Sequence, residues 1–186
     1  MGLERAADSS YSRRLNELEP SMQKQSHGTL AAILLGGLIA GAIDIGAASL
    51  ITGRSPGYIM QVIAGGLLAK ASFDGGAGTM VLGFLLQELM AILIAAIYVV
   101  VLKTWLPALS RRWISSGLLY GVVVFFVMEY VVLRLSAWKS VPHFTTLKFA
   151  ENMAAMLVFG LIIAFFARRL TGSSVSREGH GASATA

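Results

Sequence analysis

Cysteine is the residue that this sequence lacks altogether, since none of its 186 positions carries one. Its absence excludes disulfides, thiolate metal sites and cysteine nucleophiles. Charged residues are also scarce, because Asp, Glu, Lys and Arg make up 13% of the chain, against about a quarter in an ordinary soluble domain. With 55% of the residues hydrophobic, the composition places the chain among membrane proteins.

Histidine and phosphate-binding motifs are equally sparse. The three histidines, His27, His143 and His180, all lie outside the long apolar runs, which argues against haem ligation and zinc-protease chemistry. The glycine-rich stretch "FDGGAG" at 73–78 lacks the Lys-Ser/Thr ending of a phosphate loop. The net charge of +5 is not arranged as a basic stripe interleaved with aromatics, so nucleic acid is not an expected partner. The sequence therefore predicts neither an enzyme nor a cofactor.

Long apolar runs are what the chain has in place of these groups. A membrane-crossing helix needs about 20 apolar residues, and a helix is the only open-ended element that satisfies its backbone in lipid. The sequence therefore predicts an all-α integral membrane protein in contact with the lipid bilayer, a four-helix transmembrane bundle over 29–170. Its spans are expected at 30–52, 80–102, 116–136 and 148–167.

The segments around the bundle are polar or short. Residues 1–28 form a polar tail with at most one short helix around "RRLNELE", and residues 171–186 are expected to be disordered. Between spans one and two, Ser55 and Pro56 have the pattern of an N-cap and a first helical residue. The following "YIMQVIAGGLLAKA" places Ile59, Val62, Ile63, Gly66 and Leu67 on one face. This helix is too short to span and is expected to lie at the outer surface or to dip into it.

The distribution of Lys and Arg predicts the orientation. Ten basic residues fall on one side of the predicted spans, namely Arg5, Arg13, Arg14, Lys24, Lys103, Arg111, Arg112, Arg168, Arg169 and Arg177. Five fall on the other side, namely Arg54, Lys70, Arg134, Lys139 and Lys148. Because cytoplasmic loops carry the excess of basic residues, both termini are expected in the cytoplasm, as four spans require.

Carboxylates inside the spans are the unusual feature. Glu88 lies within "VLGFLLQELMAILIAAIYVVVL", residues 81–102. At 1.5 Å per residue, Asp44 and Glu88 are expected about 12 Å from the outer ends of their spans, and Glu129 about 10 Å from its own. Charged groups at such depths are costly and usually face the bundle interior or a wet cavity.

Two interpretations of these carboxylates remain open. In the first, Asp44, Glu88 and Glu129 converge on one outward-opening polar pocket, with further polar residues at its rim: Gln87, Glu151 and Asn152. Arg134 would supply a counter-charge by pairing across to another helix, or would snorkel outward. In the second, each carboxyl is a protonated structural group that is hydrogen-bonded to a neighbour. The pocket could bind protons or a cation such as Mg, Ca or Mn, although the sequence has no fixed-spacing metal motif.

Two GxxxG patterns indicate close helix packing. They are "GLIAG", with Gly37 and Gly41, and "GLLYG", with Gly117 and Gly121. Small residues let helix backbones approach each other. These faces fit packing within the bundle and homodimerisation equally well.

The pattern as a whole resembles a group of uncharacterised bacterial inner-membrane proteins with four spans. The resemblance covers about residues 30 to 169 and is carried by "GAIDIGAA", "AGGLLAKASFDGGAGTMVLG", "GLLYGVVVFFVM" and "FARR". This chain has Glu88, Glu129 and Arg134 where members of that group tend to have His, Asn and Pro. The resemblance implies the fold and a location in the bacterial inner membrane, and it implies no activity.

Two functional hypotheses follow. The first is a small membrane component that responds to protons or cations through its outward carboxylate pocket, in transport or envelope stress tolerance. The second is a structural or accessory subunit that packs against a partner membrane protein, or a second copy of itself, through its glycine faces.

Overall fold

The computed structural model describes the backbone of residues 2–104, 112–139 and 145–171, and the side chains of residues 27–101, 112–139 and 145–170. These ranges contain no strand. The elements are α1 (Gly2–Thr52), α2 (Pro56–Leu68), a 3₁₀ turn (Ala69–Phe73), α3 (Gly76–Thr104), α4 (Trp113–Val127), a π-helical turn (Met128–Val132), α5 (Leu133–Leu135) and α6 (Thr146–Thr171).

Four helical stretches are long and apolar enough to cross a membrane: His27–Thr52, Gly76–Val101, Trp113–Leu135 and Thr146–Leu170. The all-α four-helix architecture that the sequence predicts is thereby confirmed. By length and composition the chain is a multi-pass membrane protein. Below, "the α2 end" means the end of the bundle that carries α2, and "the far end" means the opposite one.

The first helix is longer than the sequence predicts. It runs from Gly2 to Thr52 without a break, through the polar segment where at most one short helix was expected. Extending a formed helix costs far less free energy than nucleating a new one, so the transmembrane part can propagate into the polar residues. The predicted disorder of the C-terminal tail falls on residues 172–186, which lie outside the described residues.

Helix α2 forms where it is predicted. The Ser55 hydroxyl accepts a hydrogen bond from the Tyr58 backbone N–H at 3.3 Å, and Pro56 occupies the first helical turn. Its buried face differs from the expected one, because Ala64 and Gly65 are buried while Leu67 is 64% exposed. Two contacts determine which face of α2 is buried. One is with α3, and the other is with the end of the third span.

Helix α2 contacts α3 about two helical turns after the first residue of α3, and not at its very end. Gly83 packs directly against the Met60 carbonyl, so closely that any Cβ at this position would overlap the oxygen. Gly83 lies seven residues after Gly76, about 10 Å along the helix axis.

The second contact joins α2 to the end of the third span. The Trp138 indole N–H donates to the Val62 carbonyl at 3.0 Å, and the ring lies over Gly65. The Ala137 N–H donates to the Gly66 carbonyl at 2.8 Å. Phe73 packs between Tyr58 and Trp138 with ring-centroid distances of 5.4 and 6.1 Å. These contacts fix α2 across the end of the bundle.

The four spans form a row in the order α3, α1, α6, α4, in which neighbours are antiparallel and closely packed. Glycines line the contacts. Gly37 and Gly41 of α1 face Ile92 and Ala91 of α3, and Gly117 and Gly121 of α4 face α6. All four glycines of the predicted GxxxG patterns are therefore occupied by packing within the chain.

Helices α3 and α4 stand at the two ends of this row and also contact each other. They meet through side chains and not through close backbone approach. The Tyr98 and Ser116 hydroxyls lie 2.8 Å apart, and the Tyr120 hydroxyl donates to the Ile94 carbonyl at 2.7 Å. The two tyrosine rings pack with their centroids 4.9 Å apart. The two tyrosine rings therefore fill the space between these helices.

Candidate functional site

Glu88 is the most unusual group in the bundle. It lies twelve residues after Gly76, at the middle of its 26-residue span, which is deeper than the sequence estimate because α3 begins before residue 80. The residue is only 5% exposed, and among the described residues neither carboxylate oxygen has a hydrogen-bond partner. A Cβ placed on Gly41 would lie 3.0 Å from both oxygens. The carboxyl group therefore packs against the α1 backbone and is almost inaccessible.

Asp44 and Gln87 form a second polar contact between the same two helices. The Gln87 side-chain amide donates to an Asp44 carboxylate oxygen at 2.8 Å. Asp44 lies one helical turn after Gly41, and Gln87 directly precedes Glu88, so antiparallel packing brings both pairs to neighbouring levels. The sequence predicts that Asp44, Glu88 and Glu129 converge on one pocket with Gln87 at its rim. In the structure Gln87 contacts Asp44, while Glu88 faces Gly41.

A small central cavity adjoins the Asp44–Gln87 pair. All four spans contribute to its lining, which consists of Asp44, Gln87, Met90, Ala91, Ile94, Val124, Met128, Met156 and Phe159. Its free space is about that of one water molecule. Glu88 does not line this cavity, because it points toward Gly41. Asp44 and Glu88 therefore occupy different environments, one beside a cavity and one in a sealed helix contact.

A larger groove runs along the outside of the bundle between α1 and α6. Its lining comprises Ile43, Asp44, Ala47, Leu50, Ile51, Glu151, Ala154, Ala155 and Val158. Glu151 is paired with Lys148 at 3.0 Å, and both side chains are partly exposed. Asp44 is among the lining residues of both this groove and the central cavity.

The remaining residues of the predicted pocket lie elsewhere. Glu129 is half-buried in the π-helical turn and lines neither the cavity nor the groove. Arg134 is exposed and forms no ion pair within the described ranges, which agrees with the snorkelling alternative. Asn152 donates to the Lys148 carbonyl at 2.8 Å within its own helix. These three side chains do not join Asp44 and Gln87 in one cavity.

Lys148 is the residue at this site that the sequence reading missed. Besides Glu151, its ammonium group donates to the Ile51 carbonyl near the end of α1. Cations stabilise the unpaired carbonyls at a helix C-terminus. A single lysine after a polar loop carries no sequence signal for this role, because its partner is a backbone oxygen 97 positions away.

The chemistry open to this arrangement is that of isolated carboxyl groups. Within the described residues, no group of three or more His, Cys, Asp or Glu side chains is placed to hold a metal ion. Two carboxyls on neighbouring levels of one helix contact can take up or release protons, or attract a cation that needs few ligands.

No family model matches the chain, and neither a curated protein nor a solved structure shows a match. The functional argument therefore depends on the geometry of the carboxyl groups. That geometry belongs to a multi-pass membrane protein with one sealed carboxyl and one cavity-lining carboxyl between the same two spans.

Proposed function

We propose that this protein is a proton-responsive membrane protein whose principal proton-binding group is Glu88. The observation that carries the proposal is the burial of both Glu88 carboxylate oxygens without a hydrogen-bond partner in the part of the chain that the structure describes. An ionised carboxylate in a dry contact costs several kcal/mol unless it is paired, while a neutral carboxyl group costs much less. The closely packed form of α1 and α3 is therefore the protonated form.

The contact with Gly41 couples the proton to helix packing. Because both oxygens lie against the α1 backbone, water can reach an ionised Glu88 only if α1 and α3 separate locally. The packed state then holds one proton more than the separated state, so raising the pH favours separation. Asp44, one turn along α1, is the nearest ionisable group on that helix and is held by Gln87.

The cellular setting belongs to the same proposal. The excess of basic residues on one side supports an inner-membrane orientation with both termini in the cytoplasm. Glu88, at mid-membrane, would then exchange its proton with the exterior through the α2 end of the bundle. We propose a role in transport or envelope stress tolerance for such a proton-responsive protein, with the bacterial inner membrane as its location.

The metal-cation version of the hypothesis receives less support than the proton version. Divalent Mg, Ca and Mn prefer about six or more oxygen ligands. The described residues supply Asp44 and Glu88 from different environments and no third carboxylate beside them. The accessory-subunit alternative also loses its structural basis, since the four glycines that motivated it are covered by the chain itself.

The first test is thermal unfolding of the purified protein in detergent from mildly acidic to mildly alkaline pH. Wild-type melting temperature is expected to fall as pH rises, because the packed state must retain a proton. Glu88→Gln is a neutral mimic of the protonated side chain and should flatten this dependence. Glu151→Gln is the matched control, because Glu151 is partly exposed and paired, and it should keep the wild-type slope.

Infrared spectroscopy tests the protonation itself. The difference spectrum between wild type and Glu88→Gln should contain the C=O stretching band of a neutral carboxylic acid, with slow hydrogen–deuterium exchange because the group is sealed. A Glu88→Gln variant with the wild-type pH dependence and no lost carboxylic band would refute the proposal.

A further inference from the structure

Basic and aromatic side chains meet at the far end of the bundle, where α4 begins and α6 ends. The Arg168 guanidinium lies 5.7 Å from the centre of the Trp113 ring. Beside it, the Arg169 guanidinium lies 5.4 Å from the centre of the Phe165 ring, and the two rings pack edge to face at 6.0 Å. Trp113 is the first residue of the third span, and the two arginines are near the end of the fourth. This group therefore lies where the hydrocarbon of a bilayer would meet its polar headgroups.

Among the described side chains, the charge at this end has one sign. Arg112, Arg168 and Arg169 are all exposed there, and Arg112 directly precedes Trp113 in the chain. The acidic side chains that the structure describes lie toward the α2 end or near the middle of the spans, namely Asp44, Asp74, Glu88, Glu129 and Glu151. Within the described residues Arg112 and Arg168 form no ion pair. A cation–π contact does not use up the several N–H donors of a guanidinium, so both side chains can still donate to an anion.

We infer that Arg112 and Arg168 bind the phosphate of an anionic phospholipid at this end of the bundle. Guanidinium groups suit phosphate because their N–H donors match its oxygens, and basic residues at the ends of membrane spans attract anionic headgroups. Phe165 is 40% exposed beside them, so the acyl chains of the same molecule would cover its ring. An anionic lipid satisfies both surfaces, whereas inorganic phosphate would satisfy only the arginines and a lipid of zero net charge would bring a cation toward them.

The close contact between α4 and α6 holds this site in place. Gly117 packs directly against Ala164. Trp113 lies one turn before Gly117, and Arg168 lies one turn after Ala164, so the antiparallel register brings the arginine and the ring to the same level. A phosphate held by Arg112 and Arg168 would therefore link the start of α4 to the end of α6. This inference goes beyond the proton response at Glu88 and does not depend on it, because Glu88 lies at mid-span.

Lipid retention by the immobilised full-length protein in a neutral detergent tests the inference. The protein is incubated with equal amounts of dioleoylphosphatidylglycerol and dioleoylphosphatidylcholine, which share their acyl chains and differ in net headgroup charge. After washing, the bound lipids are quantified by mass spectrometry, and we expect phosphatidylglycerol to be retained in preference. An excess of inorganic phosphate, compared with sodium chloride at equal ionic strength, should not displace it. Displacement by phosphate alone would mean that the arginines bind a soluble phosphate and would overturn the inference.

Two double variants test the location. Arg112→Gln/Arg168→Gln should lower the preference for phosphatidylglycerol by about tenfold or more, because both guanidinium contacts to the phosphate are lost. Arg54→Gln/Arg134→Gln is the matched control, since it removes two exposed arginines from the α2 end, and it should keep the wild-type preference. Equal losses in the two double variants would mean attraction by net charge alone and would overturn the inference. Equal retention of both lipids by the wild type would overturn it too. Glu88→Gln should retain lipid as wild type does.

Discussion

Lys148 shows how one side chain can hold two spans together. Its ammonium group donates to the Ile51 carbonyl near the end of α1 and, at 3.0 Å, to Glu151 of its own helix. The two interactions differ in strength. A hydrogen bond between a charged donor and a backbone carbonyl contributes about 1.5–3 kcal/mol, while a partly exposed ion pair contributes about 1 kcal/mol or less.

We therefore predict that Lys148→Met lowers the free energy of unfolding more than Glu151→Gln does, by about 1–2 kcal/mol. Only the lysine variant loses the link to α1. Chemical denaturation in detergent micelles measures both values, and the double variant gives their coupling. Equal losses in the two single variants would show that the ion pair, and not the helix-end contact, stabilises this corner of the bundle.

The intramembrane carboxyl groups show which side-chain contacts can be predicted from the sequence and which cannot. Counting residues along the spans brings Asp44, Glu88 and Glu129 to similar depths, but in the structure only Asp44 and Glu88 lie at the contact between α1 and α3. The count does not reveal that Gln87 contacts Asp44 while Glu88, its neighbour, faces Gly41. Successive helical residues point about 100° apart, so the rotation of α3 against α1 decides which of the two meets a partner.

Helix contacts in this bundle depend on glycines that leave no room for a Cβ. A Cβ on Gly121 would overlap the Met156 carbonyl oxygen and would lie 2.9 Å from the Leu157 Cα. The Gly160 position meets α4 in the same way, with the Gly121 backbone N at 2.8 Å. This contact is backbone against backbone, so a rotamer change cannot relieve the overlap.

We predict that Gly121→Ala destabilises the protein by about 1–3 kcal/mol, the usual cost of overpacking. Gly46→Ala is the matched control within a membrane-spanning helix, because among the described residues its added Cβ meets nothing within 4 Å beyond its own stretch of helix. Alanine is a better helix former by about 1 kcal/mol, so the control should be neutral or slightly stabilised. Thermal unfolding in detergent compares the two variants, and equal stability would contradict the tight α4–α6 contact.

The third span contains a π-helical turn that the periodicity of the sequence does not predict. Met128–Val132 forms a π-helical turn, with the Leu133 N–H donating to the Met128 carbonyl. A π turn inserts one residue into the α-helical period, so faces projected at 100° per residue do not continue through it. Met128 reaches the central cavity while Glu129 does not, although the sequence reading placed Glu129 in a shared pocket.

At the scale of the whole molecule, orientation in the membrane remains a prediction from charge. The natural absence of cysteine gives a clean background for testing it. Lys70, at the α2 end, and Arg112, at the far end, are both exposed and suit single cysteine substitutions. With both termini in the cytoplasm, a membrane-impermeant maleimide should label Lys70→Cys in intact cells and Arg112→Cys only after lysis. The reverse pattern would place both termini outside.

The sequence by itself determined the number of spans, their approximate limits, the α2 cap at Ser55 and the presence of carboxyls within the membrane. Each of these follows from local quantities: hydropathy over about 20 residues, the hydrogen bond of one capping hydroxyl and depth at 1.5 Å per residue. The tertiary structure alone decided which glycines pack within the chain, where Lys148 binds, and that Asp44 faces two spaces while Glu88 is sealed. These outcomes depend on the rotation and order of helices, which are set by steric fit between residues far apart in sequence.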